Sequence, residues 1–188
     1  MKLYALCDQE MLDKKGISLE KFISKAQEHS AEIIQYRNKT ADISFTKNQL
    51  IKIRNLYNGT LIVNDKYELI EYCDGVHLGQ EDLKLIDHDI VKAISSVRNV
   101  IKDKILGIST HNTEEILIAN TLDLNYIGLG AYRATSTKTD VTTIIGKKIE
   151  EIASQSKHQV AVIGGVTLQD NFKHITYSVI GSGLVTNL

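Results

Sequence analysis

Three features of the sequence predict an α/β fold, a compact (β/α)8 TIM barrel. Apolar runs alternate with amphipathic ones from end to end. Eight of the apolar runs have strand length, with a helix-like stretch after nearly every one. Polar residues suited to chemistry follow seven of the eight rather than clustering near one switch point. Strict β-then-α alternation implies a parallel sheet with helices outside it, and eight units suggest closure into a barrel. The chain has 188 residues, fewer than the ~250 typical of the fold. The last helix is truncated on this reading, because the eighth strand is soon followed by Thr186-Asn187-Leu188. The alternative is an open doubly wound sheet, which would gather its functional residues in a single crevice.

The elements follow in order. Residues 2–7 form an apolar run that enters the first strand directly. Ser18 precedes an apolar-periodic stretch and is expected to cap a helix over 19–29. Residues 32–37 are the second strand, and Thr46 is expected to cap a helix over 47–57. The third strand, 60–64, and the fourth, 75–78, are short apolar runs that end in polar and acidic groups. A buried parallel strand has that form when its C-terminal end opens into an active site. Helix-like stretches cover 66–72 and 87–100. Strand five at 105–109 leads to a helix over 113–121, and strand six at 126–129 to one over 142–154. Strand seven at 160–163 leads to 168–174, and strand eight spans 178–180.

Composition narrows the function classes. With 43% hydrophobic residues the chain has apolar material for one sizeable core, so a single domain over 1–188 is expected. Net charge is −1, with no long charge block. A nucleic-acid partner or a membrane surface would leave a stronger basic signature, so small-molecule ligands are expected. No apolar stretch approaches the ~20 residues needed to span a bilayer. The start of the chain lacks the apolar core and cleavage site of a signal peptide. Cys7 and Cys73 show no metal-type spacing and read as reduced thiols. A cytoplasmic location follows as the expectation. Proline is absent, which removes one rigid turn element from every loop.

Gln35, Arg37 and Lys39 alternate with Tyr36 and Asn38. A strand has period two, so these three side chains point the same way as Ile33, from the barrel interior toward its mouth. Arginine grips phosphate oxygens through its planar fork, and lysine adds a point charge. The same pattern also suits a solvated edge strand. Asn64 and Asp65 end strand three, and Asp82 follows strand four. Two carboxylates on neighbouring strands suit Mg²⁺, which takes one or two protein carboxylates and fills its shell with water and phosphate oxygens. Asp82 equally suits the first turn of a helix. His77, inside an apolar run, reads as structural.

Ser109 ends strand five and suits donation to a phosphate. His111, two residues on, has the unperturbed pKa of a general base, or is simply a residue near a helix start. The segment from Gly128 to Thr139 is polar and too long for a minimal βα turn, as loops that close over ligands often are. Gly164-Gly165 ends strand seven, and Gly181-Ser182-Gly183 ends strand eight. Paired glycines there fit the phosphate site of many (β/α)8 enzymes, where backbone N–H groups reach the ligand.

These segments together resemble the thiamine-phosphate synthase family. The matching stretches are Gln35–Lys39, Val63-Asn64-Asp65, Gly75–Asp82, Gly107–His111, Tyr126–Gly130 with Thr135–Lys138, and Ile163–Val166. They run in family order across nearly the whole chain. The resemblance implies a barrel that joins 4-amino-2-methyl-5-hydroxymethylpyrimidine diphosphate to a thiazole ethyl phosphate. The products are thiamine phosphate and pyrophosphate. It implies that Gln35, Arg37, Lys39, Asn64 and Ser109 bind the pyrimidine diphosphate and that Asp65 and Asp82 hold Mg²⁺. It also places Thr135, Thr137 and Lys138 on the substrates and Gly165, Gly181 and Ser182 on the thiazole phosphate. Arg37, Ser109 and Lys138 are then the catalytic residues. Relatives usually carry prolines in the strand-six loop where this chain has Ala131 and Ala134.

Two rivals share the fold. A thiazole tautomerase of the same superfamily would use His111 for proton transfer, but has little use for Asp65, Asp82, Arg37, Lys39 and Lys138 together. A non-catalytic binder of a phosphorylated ligand is the other. A barrel lacking its last helix exposes apolar surface that a second copy could cover, in a homodimer.

Overall fold

The computed structural model describes residues 1–134 and 144–185. Its strands are β1 (Lys2–Asp8), β2 (Ile33–Arg37), β3 (Thr60–Asn64), β4 (Gly75–Leu78), β5 (Ile105–Thr110), β6 (Tyr126–Leu129), β7 (Gln159–Val162) and β8 (Tyr177–Ile180). Each begins and ends within one residue of its expected bounds. All pairings are parallel and follow chain order, and β8 pairs back to β1, so the barrel is closed. The predicted (β/α)8 architecture is the observed one.

Period-two alternation sorts every strand. Leu3, Ala5 and Cys7 of β1 face the helices, where they join Ile34, Leu61, Val76, Leu106, Ile127 and Val160 in the outer apolar layer. Tyr4, Leu6, Ile33, Ile62, Tyr126, Ala161 and Val179 fill the barrel interior. Interior side chains must interdigitate at crystal-like density. Gly107 shows the consequence: a Cβ there would lie 2.1 Å from Cζ of Tyr126, so the glycine makes room for that ring.

The outer helices are α1 (Gln9–Lys15), α2 (Leu19–Glu28), α3 (Ile43–Leu56), α4 (Gln80–Ile86), α5 (Ile90–Ile101), α6 (Thr113–Ala119) and α7 (Ile149–Ala153). Ser18 caps α2 as expected, accepting from the Lys21 N–H at 3.2 Å. Thr46 does not cap α3. The helix starts earlier because Asp42 takes that role, accepting from the Phe45 N–H at 2.7 Å. Thr46 lies within the first turn and its hydroxyl donates back to the Asp42 carbonyl. Residues 66–72 form a 3-10 helix over Tyr67–Tyr72. The stretch expected as one helix over 87–100 is preceded by α4, which starts directly after Gly79. Short α1, absent from the expectations, is capped by Asp8 through the Met11 N–H at 2.9 Å and stopped by Gly16 at φ 63°.

Residues 168–174 are not helical. The Asp170 carboxylate accepts from the Thr167 N–H at 2.8 Å and its hydroxyl at 3.0 Å, which closes a turn instead. Of the stretch expected over 142–154, the described part is a 3-10 turn at Gly146–Lys148 followed by α7. After β8 the described residues hold a 3-10 helix, Ser182–Val185, where a full barrel has its last α-helix. No helix among the described residues is long and apolar enough to cross a membrane.

Candidate active site at the barrel mouth

A cavity of about 410 Å³ opens at the C-terminal ends of the strands. Among the described residues it collects Gln35, Arg37, Lys39, Asn64, Asp65, Asp82, Ser109, His111, Gly165, Gly181 and Ser182. Every candidate that the structure describes is therefore at one site. Thr135, Thr137 and Lys138 lie outside the described residues.

The basic side is built on β2. Ile33 is in the interior, and two steps on Gln35 is buried beneath the cavity. Two further steps bring Arg37 to the mouth, where its guanidinium bonds the Asp8 carboxylate. Asp8 is 2% exposed and caps α1 with its other oxygen. A buried carboxylate so placed holds the arginine fork in one geometry before any ligand arrives. Lys39 extends the row. Its ammonium lies 3.6 Å from Asp65 and 3.9 Å from Asp82.

The acidic pair comes from β3 and the start of α4. Asp65 turns off the strand at φ 64°, a left-handed conformation that Asp and Asn tolerate better than most residues. Burial pushes its carboxyl up to about 6, and the neighbouring Asp82 carboxylate adds to the rise against the pull of Lys39 and Arg37. Asp82 accepts the Gly79 N–H at 3.1 Å. Its two sequence readings, first-turn acid and partner of Asp65, are thus compatible.

Beneath the mouth runs a chain of hydrogen bonds inside the barrel. Gln35 Nε2 donates to Asn64 Oδ1 at 2.9 Å, and the Tyr4 hydroxyl donates to Gln35 Oε1 at 3.1 Å. The Tyr4 and Tyr126 hydroxyls are 2.9 Å apart. Tyr126 meets His77 Nδ1 at 2.9 Å, and His77 Nε2 meets the Ser109 hydroxyl at 3.0 Å. A hydroxyl has one hydrogen to give. Tyr4 spends its own on Gln35, so Tyr126 donates to Tyr4 and accepts from His77 Nδ1–H. In the neutral imidazole Nε2 then accepts from Ser109, which leaves the serine lone pairs for a ligand. Burial raises both phenols well above their ordinary range, so they stay protonated.

On the far side of the barrel, Gly164 and Gly165 follow β7 at φ 91° and 62°. A Cβ on Gly164 would lie 2.6 Å from Cβ of Ala131. The Gly130–Ala131 peptide bond is cis. His111 borders the cavity with Nδ1 2.9 Å from Glu115, which also takes the His111 N–H at 2.8 Å.

Sequence reasoning missed Asp8, Tyr4 and Tyr126, and it left His77 as structural. Asp8 carried a readable signal, since it ends the first apolar run as Asp65 ends the third. The two tyrosines carried none, because an interior aromatic looks like any other core residue until its hydroxyl has a partner.

A closed (β/α)8 barrel with its cavity at the C-terminal strand ends defines a barrel enzyme whose loops carry the chemistry. The chain belongs to the thiamine monophosphate synthase family, whose sequence model matches residues 3–186. It is therefore a transferase by family. It is 33% identical to the thiamine-phosphate synthase of Clostridium acetobutylicum over 193 aligned residues, covering all of this chain and 86% of that protein. The thiamine-phosphate synthase of Persephonella marina is 34% identical, over 94% of this chain and 80% of its own. Among solved structures, a thiamine phosphate pyrophosphorylase from Pyrococcus furiosus superposes with a TM-score of 0.76 at 24% identity, covering 96% of this chain and 85% of that one. A 3-hexulose-6-phosphate synthase superposes at 0.60 and 15% identity, over 97% and 90% of the two chains. Those two likenesses concern the fold.

Proposed function

We propose that this chain couples 4-amino-2-methyl-5-hydroxymethylpyrimidine diphosphate with a thiazole ethyl phosphate, yielding thiamine phosphate and pyrophosphate. The observation that carries the reading is one cavity with two phosphate-suited regions. Arg37, Lys39, Asp65 and Asp82 sit on the β2–β4 side, and the glycine turns after β7 and β8 face them across the mouth. The buried amides of Gln35 and Asn64, with Ser109, lie between, where a flat heterocycle with ring nitrogens and an amine has donors and acceptors to meet.

Asp65 and Asp82 suit a hard divalent cation. They are adjacent, and their charge draws the Lys39 ammonium. No group of three or more His, Cys, Asp or Glu among the described residues forms a closed metal site. A two-carboxylate set of this kind suits Mg²⁺, which keeps waters and takes phosphate oxygens. Bound there, Mg²⁺ would supply positive charge beside a diphosphate leaving group.

The protein's own residues account for the rest. Arg37, preset by Asp8, and Lys39 offer fixed positive charge to the diphosphate oxygens as the pyrimidine CH₂–O bond breaks. The bonding electron pair leaves with pyrophosphate, and the benzylic-type cation is stabilised by the aminopyrimidine ring. The lone pair of the thiazole nitrogen then forms the new C–N bond. Anchoring the thiazole phosphate in the glycine turns removes the entropy of bringing that nitrogen to the cation. No protein nucleophile is required.

Purified protein supplied with both precursors and Mg²⁺ is expected to release pyrophosphate and form thiamine phosphate. Isomerisation of the thiazole without any coupling would overturn the reading. The His111–Glu115 pair at the cavity edge supports that second reading, a tautomerase with His111 as acid and base.

A further inference from the structure

We propose that Arg133 is a positioning residue for the phosphate-binding turn at Gly164–Val166, acting through the Gly165 carbonyl. The inference rests on the reading that this turn holds the thiazole phosphate. Arg133 does not border the cavity, whereas Gly164, Gly165 and Val166 do. Its guanidinium donates to the Gly165 carbonyl at 3.0 Å. The same fork donates twice to Asp170, at 2.8 and 2.7 Å. It also stacks 4.2 Å from the ring centre of Tyr132, which packs edge-on against Phe172 at 5.1 Å.

The backbone continues this clasp. The Tyr132 N–H donates to Ile163, and the Arg133 N–H to Gly164, both at 2.9 Å. The segment after β6 is thereby tied to the turn after β7 beyond the end of both strands. In a trans peptide the carbonyl and the next N–H point in opposite directions. Fixing the Gly165 carbonyl toward Arg133 turns the Val166 N–H to the other side of that peptide. Gly164 and Gly165 have no Cβ and positive φ, so nothing intrinsic holds them in this shape. The chain contains no proline to stiffen either segment. Arg133 has a second effect: it neutralises the Asp170 carboxylate, which would otherwise place negative charge beside an anion-binding turn.

The test is steady-state coupling kinetics with each substrate varied in turn, together with calorimetric binding of the thiazole ethyl phosphate alone. A hydrogen bond from a charged donor is worth enough that Arg133→Met is expected to raise KM and Kd for the thiazole phosphate about tenfold. The kcat at saturation and the KM for the pyrimidine diphosphate stay at their wild-type values. Arg133→Lys keeps the charge and loses the fork, so it is expected to show a smaller rise in the same two constants. Equal rises for both substrates, or no change in thiazole phosphate binding, would overturn the proposal. If Arg133→Met fails to fold, Arg133→Lys decides on the same criteria. Should the wild-type protein form no thiamine phosphate, the functional reading fails. The calorimetric comparison then still decides the role of Arg133.

Discussion

The Ser109 hydroxyl lies 3.0 Å from Nε2 of His77, on the neighbouring strand, and the other nitrogen of the same imidazole is held by Tyr126. A residue proposed to meet substrate is therefore oriented by two residues that are not. Tyr126 in turn is fixed by Tyr4 from the opposite region of the barrel. The orientation of one serine depends on the closed barrel as a whole.

Tyr126→Phe keeps the ring that Gly107 accommodates and removes only the hydroxyl. Tyr4 and His77 each lose a buried partner, at a cost of about 1–3 kcal/mol to stability. With His77 less fixed, kcat/KM for the pyrimidine diphosphate is expected to fall about tenfold. Thermal unfolding and steady-state kinetics check the two parts. A variant with wild-type kcat/KM would show that the chain of hydrogen bonds serves stability alone.

Asp65 makes a pH prediction for the metal-free protein. Its folded pKa is raised to about 6, chiefly by burial and then by Asp82. The unfolded chain therefore releases this proton at lower pH than the folded one. Between roughly pH 4 and 6 the unfolded state binds fewer protons, so this group lowers stability as pH rises. The penalty is absent below the unfolded value and complete above the folded one. Asp65→Asn removes the charge and keeps a residue suited to φ 64°. Urea unfolding with a chelator present should show the variant gaining on wild type, by ~1 kcal/mol or more, as pH goes from 4 to 7. A constant difference across that range would refute the assignment.

Asp82→Asn tests the carboxylate pair. The Gly79 N–H keeps an oxygen acceptor, so the start of α4 survives, but the pair loses one charge. The Mg²⁺ concentration for half-maximal coupling is expected to rise at least about tenfold. Unchanged Mg²⁺ dependence would remove Asp82 from any metal site.

Gly164→Ala probes the turn after β7. The new methyl would meet Cβ of Ala131 at 2.6 Å and its Cα at 2.8 Å, at a backbone φ of 91°. Strain of this kind costs on the order of 1–3 kcal/mol. A lower melting temperature and weaker thiazole phosphate binding are expected together. An unperturbed melt would mean the turn relaxes freely.

The barrel was legible in the sequence because strand alternation is local. Each strand's faces follow from a period of two, so Ile33, Gln35 and Arg37 had to point one way wherever the strand went. The ends of the apolar runs set Asp65 directly after β3 and Asp82 a few residues after β4, so both carboxylates lie at the same end of the barrel. Helix starts were less legible where two capping residues competed, as Asp42 and Thr46 did. The region 168–174 reads as helix-like, but Asp170 closes a turn on Thr167 instead and is held there by Arg133, 37 residues earlier in the chain.

What the sequence alone determined was the fold, since the periods of strand and helix follow from spacing along the chain. Tertiary structure decided how the residues of the site are held. The Asp8–Arg37 bond, the chain from Tyr4 through Tyr126 and His77 to Ser109, and the clasp of Arg133 all join groups from 29 to 122 residues apart. All of them need the barrel to close, and in the first two closure buries polar atoms that must then find one another, whereas the Arg133 clasp forms at the surface between the segments after β6 and β7.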